Sequence, residues 1–316
     1  MSKNLLVLVI LFSSFKLSAQ INIKEDTSVT KWKKGNFVAF SVNQTSLINW
    51  AAGGENTLAV NAVYTGFRKY RFNDLYFEQT LDASFGYIAT KSLGFRKNED
   101  KFEYNAKAGK KIKGKFYYAG MFNFRTQFAP GYNFPNDSNV ISRLMAPAYA
   151  TLAIGVDYKP KDYVYFFLSP ITGRATFVLD QRLADAGQFG VTAAEIDPLS
   201  GATITAGKNV RWEFGASIRM RFQKDIYKNV NLLSNLQLFN NYSDPIKKNR
   251  GNIDVYFENM LNAKIGKLFN FSVFANLIYD HDIDVDTGKL RSDGTTVVGP
   301  RTQFKQVLGF GLSYKW

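Results

Sequence analysis

Hydrophobic and polar residues alternate along long segments of this chain, and a period of two predicts β-strands rather than helices. The segment 210–222 shows this most clearly, with apolar side chains at even positions and small or charged ones at odd positions. The segments 75–87 and 304–316 repeat the pattern. Strands of soluble proteins have about five or six residues, whereas a tilted membrane strand needs about nine to eleven. The length of these segments therefore favours strands that cross a membrane.

Twelve segments fit the alternating template. They are 36–46, 56–68, 75–87, 101–110, 115–128, 149–158, 162–178, 210–222, 229–242, 252–265, 268–282 and 304–316. Short turns and long loops alternate between them, with 91–100 counted among the loops and a short helix expected near Gly187 in the loop 179–208. This arrangement predicts an all-β fold, a closed transmembrane antiparallel up-and-down β-barrel of about twelve strands. Strand counts of ten and fourteen remain alternatives, because Pro170 and Gly173 interrupt one segment.

The first residues have the features of a cleaved secretory signal. Lys3 precedes a short apolar run, and small residues lead up to Ala19, where cleavage is expected. The apolar run is shorter than the roughly twenty residues of a membrane-spanning helix. The predicted organisation is a signal peptide at 1–19, a periplasmic segment at 20–35 and an outer-membrane β-barrel at 36–316. Because the chain has no cysteine, the exported protein must be stable without disulfides.

The formal net charge of +14 suggests an anionic partner. Export and the strand pattern exclude nucleic acid, and basic residues in turns are expected near anionic lipid headgroups of the outer membrane. Envelope proteins that bind the long extracellular loops are the other predicted partners.

The last residues alternate and end on an aromatic side chain. They resemble the carboxy-terminal signal that the barrel-assembly machinery recognises in outer-membrane barrels, which implies that Phe310, Leu312, Tyr314 and Trp316 act in assembly. Three further stretches resemble a family of Bacteroidota outer-membrane proteins of unknown function. They are Asn49–Gly54, Ser169–Arg174 with Leu183–Asp185, and Gly299–Lys305. This resemblance spans most of the chain and implies a Gram-negative outer-membrane barrel, but it brings no activity.

Strand parity places charged side chains of both signs on the interior face. The predicted interior residues are Glu78, Asp82, Glu103, Lys107, Arg125, Arg211, Glu213, Arg219, Arg221, Asp254, Glu258 and Lys264. Such a set can line a narrow, porin-like channel for small hydrophilic solutes. It can equally fill a non-conducting barrel that serves a structural or partner-binding role, because twelve strands lie between filled and open barrels. We take the channel as the first hypothesis.

Catalysis and metal binding receive less support. A hydrolytic site would have to use the only histidine, His281, and its neighbours Asp280 and Asp282 point to the opposite face of an extended strand. An enzyme is therefore not expected, and a lipid hydrolase is a remote alternative. Asp282, Asp284 and Asp286 alternate along one extended face, where their oxygens could bind Ca²⁺; a solvated acidic hairpin is the other interpretation. No other cofactor is predicted.

Overall fold

A computed structural model describes residues 32–46, 56–134, 136–265, 269–291, 296–312 and 314–315. The predicted signal peptide, most of the predicted periplasmic segment, the stretch Asn49–Gly54 and Trp316 lie outside these residues. In chain order the strands are β1 (Trp32–Thr45), β2 (Thr57–Phe72), β3 (Leu75–Thr90), β4 (Gly94–Lys113), β5 (Phe116–Thr126), β6 (Gly131–Asn133), β7 (Asn136–Ser142), β8 (Ala148–Lys161), β9 (Val164–Phe177), β10 (Glu195–Ile196), β11 (Thr203–Thr205), β12 (Val210–Tyr227), β13 (Val230–Asn241), β14 (Asp254–Ile265), β15 (Phe269–Tyr279), β16 (Asp284–Leu290), β17 (Thr296–Pro300), β18 (Gln303–Leu312) and β19 (Tyr314–Lys315).

One antiparallel sheet contains most of these strands, and strands that follow one another along the chain pair with each other. The pairs β6–β7, β10–β11 and β16–β17 form separate hairpins within long loops. Since β18 and β19 continue one another across residue 313, the main sheet consists of twelve long segments. The predicted all-β, up-and-down architecture of twelve segments is confirmed.

Helices contribute little to the fold. The α-helix α1 (Gln181–Asp185) and a 3₁₀ turn at Gln188–Gly190 lie in the loop between β9 and β12, and a second 3₁₀ turn spans Lys247–Gly251. In the segments that the structure describes, no helix has the length and apolar character needed to cross a membrane.

Two strands, β1 and β4, begin well before their predicted positions. β1 begins at Trp32 rather than at residue 36, because its early residues Lys33 and Lys34 hide the alternation while Trp32 packs against Tyr70 with ring centroids 5.0 Å apart. β4 begins at Gly94, so the predicted loop 91–100 shrinks to a tight turn. The charged residues at the start of β4 look like a loop in the sequence although they belong to the ladder.

Pro170 does not break its strand. The ladder with β8 shifts register between Ile154 and Val156, so that the proline is accommodated in a bulge. The Ser169 hydroxyl lies 2.8 Å from the carbonyl oxygens of both Ile154 and Ile171 and has one hydrogen to donate to either of them, which satisfies a carbonyl that the bulge would leave unpaired. The segment 162–178 therefore forms one strand, β9.

The first and last strands meet only briefly. Phe37 pairs with Lys315 and Val38 with Tyr314, whereas β1 pairs with β2 along its whole length. The prediction of a closed sheet is wrong to this extent, since no continuous ladder closes the ring in the part of the chain that the structure describes. Gly309 and Gly311 in the last segment weaken that edge, because glycine has no side chain to pack against a neighbouring strand.

The two faces of the sheet differ in polarity. On β8 the outward-facing Leu152 is 59% exposed, whereas Ala153, its inward-facing neighbour, is fully buried. Apolar side chains recur on the exposed face of β8 at Ile154 and on that of other strands, including Val60, Phe122, Trp212, Phe214 and Ile218. Charged and hydroxyl side chains lie inside. This is the inverse of a soluble protein, in which apolar residues are buried preferentially.

Candidate functional site

A group of five charged side chains occupies the interior near the long-loop end. The Arg174 guanidinium donates from Nε to Glu213 at 2.7 Å and from Nη2 to Asp254 at 3.0 Å. Arg211 contacts the same Glu213 at 3.1 Å and Asp282 at 3.2 Å. We refer to Arg174, Arg211, Glu213, Asp254 and Asp282 as the ion-pair layer. The carboxylate of Glu213, at the centre of this layer, is only 3% exposed. Its negative charge must therefore be neutralised by neighbouring positive groups.

Hydroxyl side chains fill the space next to the ion-pair layer. The Thr172 hydroxyl contacts the hydroxyls of Ser169 and Ser217, each at 2.9 Å, and all three side chains are buried. Phe239, also buried, lies under the Arg174 guanidinium at 4.4 Å from its ring centroid. The long-loop half of the interior is therefore packed with mutually bonded side chains.

The loop between β9 and β12 lies against this layer. Asp180 caps α1 by accepting from the backbone N–H groups of Arg182 at 3.1 Å and Leu183 at 3.4 Å. Leu183 belongs to a buried cluster with Ala146, Val178, Ala184 and Val191, which joins this loop to the preceding one. Beyond α1, the backbone of Gly190 has a positive φ of 77° and lies against the guanidinium of Arg211. The predicted short helix is present, and its loop contacts the ion-pair layer.

Arg125 crosses the interior below the ion-pair layer. Its guanidinium lies 5.1 Å from the ring centroid of Tyr149 and 5.9 Å from that of Tyr256. Tyr256 belongs to β14, which is separated from β5 by four strands of the sheet. Next to it, Glu103 contacts Lys101 at 2.7 Å and accepts from Asn123 at 2.9 Å. Side chains from opposite walls thus meet at this level and narrow the interior.

A cavity of 930 Å³ occupies the interior toward the short-turn end. We refer to it as the chamber. Lys69 and Lys101 line it together with seven of the predicted interior residues, namely Glu78, Asp82, Glu103, Lys107, Arg219, Arg221 and Glu258. The turn residues Lys161, Asp162 and Tyr163 also line it and are exposed, so the chamber reaches the protein surface at this end.

One wall of the chamber holds a buried charge cluster. The Tyr76 hydroxyl donates to Asp157, which also contacts the ammonium of Lys107 at 2.7 Å. Lys159 lies over the Tyr76 ring at 4.3 Å and contacts Glu78 at 3.5 Å. Asp157 is completely buried. Tyr76, Asp157 and Arg174 were absent from the sequence-predicted interior set, although strand parity was sufficient to find the first two.

Of the three predicted metal residues, only Asp282 has a described side chain. Asp282 contacts Arg211, and burial raises the pKa of its carboxyl despite that positive charge. The side chains of Asp284 and Asp286 lie outside the described ones, and among those described no three His, Asp or Glu side chains form a metal-binding group. The His281 ring contacts the Tyr279 hydroxyl at 3.2 Å. The prediction that the chain is not an enzyme stays a prediction.

The predicted assembly residues belong to the last strand segment. Phe310 and Leu312 lie on β18 and Tyr314 on β19, but their side chains, like the whole of Trp316, lie outside what the structure describes. Their role in assembly stays a prediction.

Comparisons with known proteins give a family model and several solved structures. A model of a family described as a protein of unknown function, DUF3078, matches residues 42–132. This range includes the first of the three family-like stretches and ends before the other two. No curated protein matches the sequence.

Three solved structures illustrate the folds to which this chain is similar. The COG4313 outer membrane channel from Pseudomonas putida F1 has 12% identity and a TM-score of 0.41, covering 94% of this chain and 99% of that one. The translocator domain of the autotransporter NalP from Neisseria meningitidis has 9% identity and a TM-score of 0.36, covering 92% and 90%. The toluene transporter TodX from Pseudomonas putida has 11% identity and a TM-score of 0.32, covering 91% and 80%.

Proposed function

We propose that this protein is an integral outer-membrane β-barrel that acts as a narrow, gated channel for small hydrophilic solutes. The exposed apolar face of the sheet supports the membrane location, since it suits contact with lipid. β8 is 14 residues long and exceeds the roughly nine to eleven residues that a tilted membrane strand needs.

The main support for a channel is that the interior is divided along its axis into an open chamber and a packed half. The chamber connects to the surface at the short-turn end, which would face the periplasm, and the interior is crossed by Arg125 and the ion-pair layer beyond it. A solute that enters the chamber meets charged groups of both signs. It can pass through only when the ion-pair layer rearranges, so the described state is the closed state of the channel.

The membrane location is tested by placing a charge on the outer face. Leu152→Arg should lower the free energy of unfolding in lipid vesicles by about 2–4 kcal/mol, because a guanidinium would then enter the hydrocarbon layer. Leu199→Arg is the matched control: Leu199 is 97% exposed in a loop hairpin and should tolerate the change within about 0.5 kcal/mol. Equal and small effects at the two positions would contradict the membrane assignment of β8.

The channel is tested by conductance in planar bilayers. The double variant Arg174→Ser/Glu213→Ser removes both partners of the central ion pair, so it leaves no unpaired charge of that pair and widens the interior. We expect brief, small openings for the wild type and a several-fold larger conductance for the double variant. Arg182→Ser, which changes an exposed loop arginine, should match the wild type. A large, steady conductance that is the same in all three proteins would contradict the proposal that the ion-pair layer closes the channel.

A non-conducting, partner-binding barrel is the second candidate, and the packed long-loop half of the interior favours it. The ordered loop above that half exposes the apolar side chains of Ile196, Leu199 and Ile204. If this candidate is right, neither the wild type nor the double variant conducts, and gentle purification yields a stoichiometric envelope partner. A clean monomer that conducts would exclude it.

A further inference from the structure

Arg219 lines the chamber without a partner for its charge. In the part of the chain that the structure describes, no ion pair involves its guanidinium, and its Nε is shielded from solvent without a hydrogen-bond acceptor. A partly buried guanidinium normally has a carboxylate or carbonyl partner, because an unpaired charge away from bulk water is destabilising. Arg174, on the neighbouring strand β9, meets this expectation with two carboxylates. The difference indicates that the partner of Arg219 is a group other than the described side chains.

Three acidic side chains that line the chamber, Glu78, Asp82 and Glu103, have other contacts. The charge of Glu103 acts on Arg219, but its carboxylate contacts Lys101 and Asn123. Asp82 accepts from the Thr65 hydroxyl at 2.7 Å. Glu78 lies between two lysine ammonium groups. None of these contacts directs a carboxylate to Arg219, so its charge is available to a molecule in the chamber.

The side chains around Arg219 can hold such a molecule. In the ladders of β12, Arg219 is paired with Gln237 on one side and Phe167 on the other. Arg221 follows on the same face and is paired with Tyr165, whose ring lies 4.2 Å from the Lys107 ammonium. Two guanidinium groups, a carboxamide and an aromatic wall thus face one side of the chamber. The lining as a whole contains eight basic and six acidic side chains, an excess of positive charge.

We propose that the chamber binds a small anionic solute through its carboxylate or phosphate group, with Arg219 as the principal contact. A guanidinium presents parallel N–H donors that match two oxygens of either group, which makes the contact both strong and directional. Gln237 can donate to the same group from the paired strand, and Arg221 adds a second positive charge. This inference deepens the proposed channel by naming its substrate class, and it rests on the chamber being open to solute.

Equilibrium binding to the detergent-solubilised full chain tests the proposal. Isothermal titration with succinate and with inorganic phosphate distinguishes a carboxylate ligand from a phosphate ligand, and uncharged succinamide is the ligand control. We expect saturable binding of at least one anion and none of succinamide. Arg219→Gln should weaken the binding by about tenfold to a hundredfold, the range for a hydrogen bond to a charged group. Arg182→Gln, at an exposed loop arginine, should leave the binding unchanged.

Arg219→Lys keeps the proposal testable if Arg219→Gln does not fold, which heat-modifiable mobility on a gel reveals. Lysine retains the charge but loses the paired donors, so its affinity should lie between those of the wild type and the glutamine variant. Absence of binding by the wild type, or equal affinity in the Arg219 variants, would overturn the anion site. Neither result bears on the conductance of the Arg174→Ser/Glu213→Ser variant. The conductance experiment therefore tests the channel proposal independently of the anion site.

Discussion

The two halves of the interior use the same residue types in different ways. Near the long loops, Arg174 lies between Glu213 and Asp254, and the surrounding hydroxyl groups bond to one another. Near the short turns, Arg219 lies beside an open chamber of 930 Å³ and has no ion pair among the described residues. In the long-loop half both arginines of the ion-pair layer contact carboxylates, whereas Arg219 in the short-turn half contacts none among the described residues.

This difference separates a structural role from a binding role. Charges that satisfy one another inside a barrel fix the positions of its strands and resist solute entry. A charge that is left unpaired beside a cavity lowers the stability of the empty protein and contributes that energy when a counter-charge binds. Mutations of arginine in the two halves are therefore expected to change the stability of the protein in different ways.

The largest difference is expected between the two arginines. Arg174→Gln leaves the buried Glu213 with one guanidinium partner fewer and should lower the free energy of unfolding by about 3–5 kcal/mol. Arg219→Gln removes an unpaired charge and should leave stability unchanged or raise it slightly when no anion is present. Urea unfolding of the two variants in vesicles measures both effects. Similar losses at both positions would remove the distinction between the halves.

A smaller effect is expected at the chamber wall, which is the structural part of the short-turn half. Tyr76→Phe removes a hydroxyl donor from the buried Asp157 and leaves it with the ammonium of Lys107, 2.7 Å away, as its charge partner. Loss of a hydrogen bond to a buried charge should cost about 1–3 kcal/mol. Tyr118→Phe is the control, since Tyr118 lies on the exposed face of β5, and should change stability by less than about 0.5 kcal/mol. A negligible effect at Tyr76 would show that the Lys107 pair suffices.

Much of the fold was predictable because strand parity is a strong signal. All twelve segments were placed, since outward apolar and inward polar residues alternate over lengths that few other folds require. The sequence pattern predicts a loop at the charged start of β4, because it cannot distinguish the ion pair that Lys97 and Asp100 form in the barrel wall from two solvated charges. Long-range pairing of the last strand with the first depends on packing, and the pattern alone did not reveal how short that ladder is.

The interior was predicted less completely, and β9 explains why. The inward residues Tyr165 and Phe167 have odd numbers, whereas Thr172 and Arg174 beyond Pro170 have even numbers. A bulge adds one residue to a strand and so exchanges its two faces. The proline was recognised as an interruption, but the exchange of faces was not, and Arg174 was missed. The lack of a partner at Arg219 depends on how every neighbouring carboxylate is bonded, which no one-dimensional pattern contains.

The smallest effect is expected in the loop that covers the ion-pair layer. Asp180→Ala removes the cap of α1 and should destabilise the loop by about 1 kcal/mol, which hydrogen exchange at Arg182 and Leu183 would detect as about fivefold faster exchange. Although burial opposes it, the hydrogen bonds from Arg182 and Leu183 and the charge of Arg143 hold the pKa of the Asp180 carboxyl below its usual range. The stabilisation by the charged form is therefore complete above the unfolded pKa of about 3.9 and is lost as the pH falls through the lower folded value.

Asp180→Asn separates the cap from the charge. Asparagine caps a helix about as well as aspartate, so this variant should protect the loop at neutral pH and show a weaker dependence on acid. Equal exchange in the alanine and asparagine variants would show that the ion pair with Arg143, 3.0 Å away, holds the loop instead of the cap. Because the Arg174 contacts do not involve this loop, Asp180→Ala should leave the conductance unchanged. A larger conductance would show that the loop between β9 and β12, and not the ion-pair layer, forms the barrier to solutes at the long-loop end.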